Sequence, residues 1–240
     1  MTVRIGTAGW TIPSAAAPAF PAGGTSLERY AERFNCVEIN SSFHRPHRIA
    51  TWERWRDSVP GGFRFAVKLP KTITHQARLI DCGGALGEFL AQARALGDKL
   101  GVLLVQLPPK LEFDAAAAPA FFADLAARTP SAIACEPRNP SWFTPATDAR
   151  LAALRVARVA ADPALAPVAA VPGGWPGLAY WRLHGSPVMY RSSYAGRLDG
   201  YARTIAASPA PDRWCLFDNT ASSAATGDAL ALGAALSAIG

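Results

Sequence analysis

The 240-residue chain has little lysine, cysteine and histidine and no long apolar run, and each shortage narrows what it can be. Only Lys68, Lys71, Lys99 and Lys110 are lysines among 24 basic residues, and the arginines that make up the rest are scattered rather than gathered into blocks. The net charge of +6 therefore allows an anionic partner without demanding one. Cys36, Cys82, Cys135 and Cys215 lie far apart with no Cys-x-x-Cys pair, which argues against a disulfide framework and predicts reduced core thiols in a cytoplasmic protein. Apolar runs such as residues 101–107 are far shorter than the ~20 residues a membrane helix needs. Residues 1–10 hold one basic side chain and no apolar run, so no signal peptide is expected either. Charged residues make up 18% of the chain against 50% hydrophobic, which excludes disorder and coiled coil and predicts one globular, enzyme-sized domain over residues 1–240. A chain this long buries roughly three quarters of its unfolded surface and needs no metal or disulfide staple.

What is present is alternation. Hydrophobic patterning predicts strands at residues 3–7, 37–40, 63–68, 102–106, 133–136, 156–162, 179–184 and 214–219. Helices are predicted at 26–34, 50–58, 85–96, 115–128, 147–154, 195–206 and 222–239, with Ser26 and Asp114 as N-caps. Trp52 and Trp55, three apart, predict a helix packing face with arginines outward in preference to a base-stacking surface. Strands interleaved with helices predict an α/β fold with a parallel sheet. No G-x-G-x-x-G follows the first strand and no G-x-x-x-x-G-K occurs, so a TIM-type (β/α) barrel of seven or eight strands is preferred over an open nucleotide-binding sheet. Residues 11–24 and 163–177, rich in Pro, Gly and Ala, predict loops where a helix could stand, so the barrel is expected to be irregular.

Barrel strands should be apolar on both faces except near an end. Here polar residues collect at the C-terminal ends: Glu38 and Asn40, Lys68, Gln106, Glu136 and Arg138, Asp162, Arg182 and His184, Asp218 and Asn219. A period of two puts Glu38 with Asn40, Glu136 with Arg138, and Tyr180 with Arg182 and His184 on shared faces. The plain reading pairs Glu38 with Lys68 and Glu136 with Arg182 to close the top. The functional reading takes the whole set as a site, because buried charge is costly and barrel enzymes build their sites at this end.

The stretches Ile5-Gly6-Thr7-Ala8-Gly9-Trp10, Tyr30 to Phe43 around Phe34-Asn35-Cys36-Val37-Glu38-Ile39-Asn40, Phe65-Ala66-Val67-Lys68 with Thr74-His75, Leu104-Val105-Gln106-Leu107-Pro108-Pro109, Ser141-Trp142-Phe143, Arg182-Leu183-His184-Gly185 and Asn219-Thr220-Ala221 together resemble the YecE-like family. The resemblance runs from Ile5 to the last helix. It implies a TIM-barrel-like fold and no named activity; a suggested likeness to metal-dependent endonuclease barrels is analogy. The sequence departs from the family pattern at residues 11–16, at His44 where Tyr is usual, at Pro137 in place of an aromatic, and at Asp218 in place of Asn. These departures bear on substrate specificity more than on fold.

Glu136, Asp162, His184 and Asp218 come from successive strands and could converge on a divalent metal. With a single strand-end histidine, a resident transition metal is not favoured, and carboxylate-held Mg²⁺ or Mn²⁺ is the form the residues would suit. A glycosidase pair is poorly matched, since Glu38 and Glu136 come from nearly opposite strands. An anion fits better: His184-Gly185-Ser186 and Asn219-Thr220-Ala221 offer small residues after the last two strands, near Lys68, Arg138 and Arg182, although an ordinary Ser/Thr helix cap also explains the second stretch. Lys68 could form a Schiff base, but Glu38 and Gln106 as neighbours favour a retained charge.

The expectation is an enzyme in which Glu38, His184, Lys68 and Glu136 carry acid/base chemistry of a hydrolase or lyase kind. Asn40, Gln106, Arg138, Asp162, Arg182, Gly185, Asp218, Asn219 and Thr220 would hold a small phosphate- or carboxylate-bearing substrate. No membrane partner is expected and the cofactor is left open. The alternative is a non-catalytic module that binds nucleic acid or another polyanion, with the strand-end charges serving as internal ion pairs.

Overall fold

Strands and helices alternate in the predicted order over residues 2–239, the portion described by the computed structural model. The first half runs β1 (Thr2–Thr7), α1 (Ser26–Ala31), β2 (Cys36–Ile39), α2 (Ser41–His44), α3 (Ile49–Asp57), β3 (Arg64–Lys68), α4 (Gly83–Ala93) and β4 (Leu100–Gln106). The second runs α5 (Ala117–Arg128), β5 (Ala132–Glu136), α6 (Pro145–Ala153), β6 (Val156–Arg158), β7 (Ala160–Asp162), β8 (Gly173–Gly174), β9 (Leu178–Leu183), α7 (Leu198–Ala207), β10 (Asp212–Phe217) and α8 (Ala224–Ser237). Residues 11–24 and 163–177 hold no α-helix; the first carries the 3-10 turn Ser14–Ala19 and the second the 3-10 turn Pro167–Ala170 and the short β8.

Local chemistry moves several boundaries. Thr25, not Ser26, caps α1: its hydroxyl accepts the Glu28 N–H at 3.3 Å while the Glu28 carboxylate accepts the Thr25 N–H at 2.6 Å, a reciprocal capping box. The N-cap of α5 is Ala116 and not Asp114, whose carboxylate holds the turn leading into the helix by accepting from the N–H groups of Ala116 and Ala117 at 2.8 Å. The single strand expected over 156–162 is broken at Val159, and its halves join different sheets. Trp52 is buried and meets Trp55 edge-on while Arg54 stays exposed, the packing face predicted from their spacing.

The strands form two sheets, ordered β1-β10-β9-β7 and β2-β3-β4-β5-β6-β8. All pairs are parallel except the two-residue β8 against β6. Where β1 approaches β2 the ladder contact among the described residues is a parallel bridge between Ala8 and Glu38. Side chains satisfy the rest of that edge: the Asn35 amide donates to Val3 O at 2.8 Å and accepts from Ile5 N at 3.0 Å. The Tyr30 hydroxyl accepts from Thr7 N at 2.8 Å and donates to Cys36 O at 3.2 Å. Gly6 is required at this approach, since a Cβ there would stand 2.2 Å from the Cys36 carbonyl oxygen.

The two faces of the sheets differ in kind. One face packs against the helices in the larger core cluster, through residues such as Val37, Val67, Val105, Trp181 and Phe217. The other carries a smaller buried cluster that contains no helix residue: Cys36, Ala66, Val102, Leu104, Ala134, Ala157, Val159, Leu178, Tyr180, Trp214 and Leu216. It draws on both sheets, and the polar residues of interest stand directly beyond it.

Candidate functional site

Two residues past a member of the strand-only cluster, the same strand face carries a polar side chain on six strands. Glu38 follows Cys36, Lys68 follows Ala66, Gln106 follows Leu104, Glu136 follows Ala134, Arg182 follows Tyr180 and Asp218 follows Leu216. Arg182 is the hub, with a side chain 1% exposed. Its Nε and Nη2 donate to the two Glu38 oxygens at 2.9 and 2.6 Å, its Nη1 to Glu136 Oε2 at 2.5 Å, and its Nη2 also to Asp218 Oδ2 at 3.1 Å. The Tyr180 hydroxyl donates to Glu38 Oε2 from beneath at 3.2 Å.

His184, fully buried, lies one step further along β9's face. Its Nδ1 is 2.9 Å from Asp218 Oδ2 and its Nε2 is 2.8 Å from Glu136 Oε1, so each ring nitrogen faces a carboxylate. Arg138 closes the group, with Nη2 at 2.6 Å from Glu136 Oε1 and 2.8 Å from His184 Nε2. The Arg138 Nε and the Asn40 Oδ1 are buried with no hydrogen-bond partner among the described residues. Tyr190 covers the imidazole, its ring edge-on at 5.8 Å and its N–H donating to the His184 carbonyl.

Three carboxylates face two guanidiniums and the His184 imidazole here, and their mutual fields are strong. Burial alone would raise the Glu136 carboxyl, but Arg182, Arg138 and His184 overcome it and hold it well below the usual range. Asp218 is held low in the same way, by Arg182 and its bond to His184 against burial. Burial works against the Arg182 charge, yet Glu136, Glu38 and Asp218 raise its pKa well above normal. Burial and then the Glu38 charge push the Tyr180 hydroxyl up, so it stays a donor. Lys68 differs: burial and Arg182 lower its pKa, and Glu38, Glu136 and Asp218 only partly offset them.

Six expected residues thus meet in one network: Glu38, Glu136, Arg138, Arg182, His184 and Asp218. Lys68 stands beside it, but the expected Glu38–Lys68 pair does not form, because Arg182 takes both Glu38 oxygens and the Lys68 ammonium lies over the Phe43 ring at 4.3 Å. Asp162 is not brought in. It pairs in register with Leu183, on the helix-facing side, where Arg197 at 2.9 Å and the Tyr201 hydroxyl hold it. A metal set built on Asp162 therefore does not assemble, and among the described residues no three His, Cys, Asp or Glu side chains are arranged to hold a metal ion.

Other expected contacts are spent locally. Gln106 Nε2 donates to Leu107 O at 2.8 Å, and Gly185 N donates to the Tyr194 hydroxyl at 2.8 Å. Asn219 Nδ2 donates to Asp228 Oδ2 at 2.7 Å and Ser192 O at 3.0 Å, which pins the segment before Tyr194. Thr220 is exposed, and Ser223, at the N-cap of α8, makes no side-chain cap bond. Tyr180, Tyr190 and Phe43 were absent from the expected site. Tyr180 alone had a signal in the sequence, through its period-two relation to Arg182.

The match to a family of known proteins covers almost the whole chain. A family model described as "Protein of unknown function DUF72" spans residues 4–239. The chain belongs to the DUF72 family. This agrees with the YecE-like resemblance of its motifs: UPF0759 protein YecE of Escherichia coli (strain K12) is 42% identical over 86 residues, 36% of this chain and 32% of that protein. UPF0759 protein YunF of Bacillus subtilis (strain 168) is 29% identical over 151 residues, 60% of this chain and 53% of that one. In these matches the chain spans about a third and about half of the relatives' lengths. A DUF72 protein of Enterococcus faecalis V583 superposes with a TM-score of 0.83 at 19% identity, over 98% of this chain and 96% of the other. Another, from Thermotoga maritima MSB8, gives 0.80 at 20% identity over 99% and 100%. These similarities fix an α/β DUF72 fold with parallel sheets. No helix among the described residues is long and apolar enough to cross a membrane.

Proposed function

We propose that this DUF72 chain is an enzyme acting on a small carboxylate- or phosphate-bearing substrate, at the C-terminal strand ends of one single-domain (β/α) barrel. Closure of the two sheets into one barrel is supported by three features. β6 and β7 are separated only by Val159, the Ala8–Glu38 bridge joins the opposite edges, and the strand-only core draws on both sheets. Four buried free thiols support a cytoplasmic site of action.

The observation that carries the catalytic reading is the His184 ring between Glu136 Oε1 and Asp218 Oδ2, at 2.8 and 2.9 Å. An imidazole so placed can hold a proton on either nitrogen and exchange it with a substrate atom, so His184 is the acid/base. Arg138, with its Nε unpaired, takes the anionic group. Arg182 and Glu38 position Glu136 against His184, and Lys68 supplies the remaining cation. Burying one unpaired polar atom costs about 1–3 kcal/mol. Trp52 Nε1, Trp181 Nε1 and Arg213 Nε carry the same cost in the scaffold, so what singles out Arg138 Nε and Asn40 Oδ1 is their place together at the C-terminal strand ends.

A thermal-unfolding screen of carboxylated and phosphorylated metabolites would find the ligand, since saturation at ~100 times its dissociation constant adds about 2.7 kcal/mol. Arg138→Ala should then weaken binding at least tenfold, beyond the stability lost when the buried Glu136 gives up one of its two guanidinium partners. On the identified substrate, Glu38→Gln and His184→Ala should both lose activity; full activity in both would falsify the assignment. The polyanion-binding alternative rests on the +6 charge, and indifference to DNA and RNA at low salt would remove it.

A further inference from the structure

Lys68 is the charged residue of this group whose expected partners are engaged elsewhere. Glu38 is bound through both oxygens to Arg182, and Gln106 donates to Leu107 O. Among the described residues, the Lys68 ammonium makes no hydrogen bond or ion pair; its contact is the Phe43 ring face at 4.3 Å, and the side chain is only partly buried. Lys99 shows the contrast of a lysine held as a structural cation, its Nζ donating to Arg56 O at 2.6 Å and Val59 O at 2.5 Å. A ring face steadies an ammonium much less than a hydrogen-bonded carboxylate does, and it leaves the nitrogen free to react.

We propose that Lys68 is a covalent nucleophile that forms a Schiff base with an aldehyde or ketone substrate bearing a carboxylate, the α-oxo acids being the simplest class. The proposal rests on the reading above and deepens it, with Arg138 taking the carboxylate and His184 moving protons. The neutral Lys68 nitrogen attacks the carbonyl carbon. The carbonyl π pair moves onto oxygen, which takes a proton while the nitrogen gives one up, and a carbinolamine results. A second proton lets the hydroxyl leave as water as the nitrogen lone pair closes the C=N bond. The product is an iminium cation, and the carboxylates of Glu38, Glu136 and Asp218, whose charges all act on Lys68, favour it as it forms. Burial and the nearby Arg182 charge enlarge the neutral amine fraction that starts the sequence.

The test is reductive trapping on the whole chain with glyoxylate and cyanoborohydride near neutral pH, followed by quantification of each carboxymethylated lysine. Because the chain holds only Lys68, Lys71, Lys99 and Lys110, the exposed Lys71 and Lys110 serve as internal controls. Lys68 should be modified at least tenfold faster than either, with the ratio shrinking as pH rises and the exposed lysines lose their protons. Labelling of Lys68 no faster than that of Lys71 and Lys110 overturns the proposal. Glycolate, which lacks the carbonyl, is tested in parallel by thermal unfolding of the native chain and Arg138→Ala. Arg138-dependent stabilisation without selective labelling overturns the Schiff base and leaves the anion site standing. Neither effect overturns both, and selective labelling without stabilisation upholds the nucleophile while removing the Arg138 clamp.

Discussion

Among the described residues Arg158 and Arg182 are the arginines with only 1% of their surface exposed, and they are buried for different ends. Arg158 on β6 faces the helices and is saturated one to one. Its Nε and Nη2 grip Asp148 of α6 at 2.6 and 3.0 Å, its Nη1 donates to Val168 O and Val171 O, and its guanidinium lies over Phe143. It ties α6 to the loop of residues 163–177, and its carboxylate partner still reaches water, with a side chain 29% exposed. Arg182 on β9 faces three carboxylates at once, of which Glu38 and Glu136 are fully buried, and shares Glu136 with Arg138. A scaffold ion pair closes its own account; the Arg182 group is joined at the strand ends by Arg138, whose Nε has no partner among the described residues. That difference, more than burial, marks which cluster is available to a ligand.

Removing each guanidinium should separate the two clusters most strongly. Arg182→Met strands three carboxylates and should cost about 3–5 kcal/mol in urea unfolding, enough to threaten folding. Arg158→Met releases Asp148 to solvent and forfeits hydrogen bonds to carbonyls, for about 1–2 kcal/mol. Equal losses would show that the two clusters are both plain scaffold.

Acid separates them next. Glu136 and Asp218 have folded-state pKa values below their unfolded ones, so the unfolded chain takes up protons first as pH falls. Their contribution is complete above about pH 4.3, the ordinary carboxyl range, and is lost as pH falls through the lower folded values. The urea midpoint should therefore drop steeply below pH 4. Glu136→Gln should flatten that limb, and Arg158→Met should leave its slope unchanged.

Much of this was legible in the sequence. Predicted strand ends lie within two residues of those found, because the change from an apolar to a polar side chain on one face marks where the strand-only core stops. The same period of two also argues against Asp162. Ala157 and Val159 belong to that core, so Asp162 falls with Arg158 on the other face, which a list of polar strand ends conceals. The expected Glu136–Arg182 pair forms, whereas the partner of Glu38 was illegible. Glu38 and Arg182 are 144 residues apart, and only the distance across the sheets decides for Arg182 over Lys68. Nor does helical spacing reveal that the Tyr30 hydroxyl and the Asn35 amide stand in for ladder bonds between β1 and β2.

Lys68 should move stability the least, and in the opposite direction. Lys68 carries a folded-state pKa below the unfolded one, so at neutral pH the folded chain bears a cost for keeping it charged. Lys68→Met removes that cost and lays an apolar side chain against Phe43, so the midpoint of thermal unfolding should rise by a few degrees. The cost is full below the folded pKa and is gone above the ordinary lysine value of about 10.4, so the gain in stability should shrink as pH rises through that window. Arg158→Met has no such window and destabilises throughout. A residue whose removal stabilises the fold is held there for something other than the fold, and a loss of stability in Lys68→Met at pH 7 would place Lys68 with Arg158 among the structural ions.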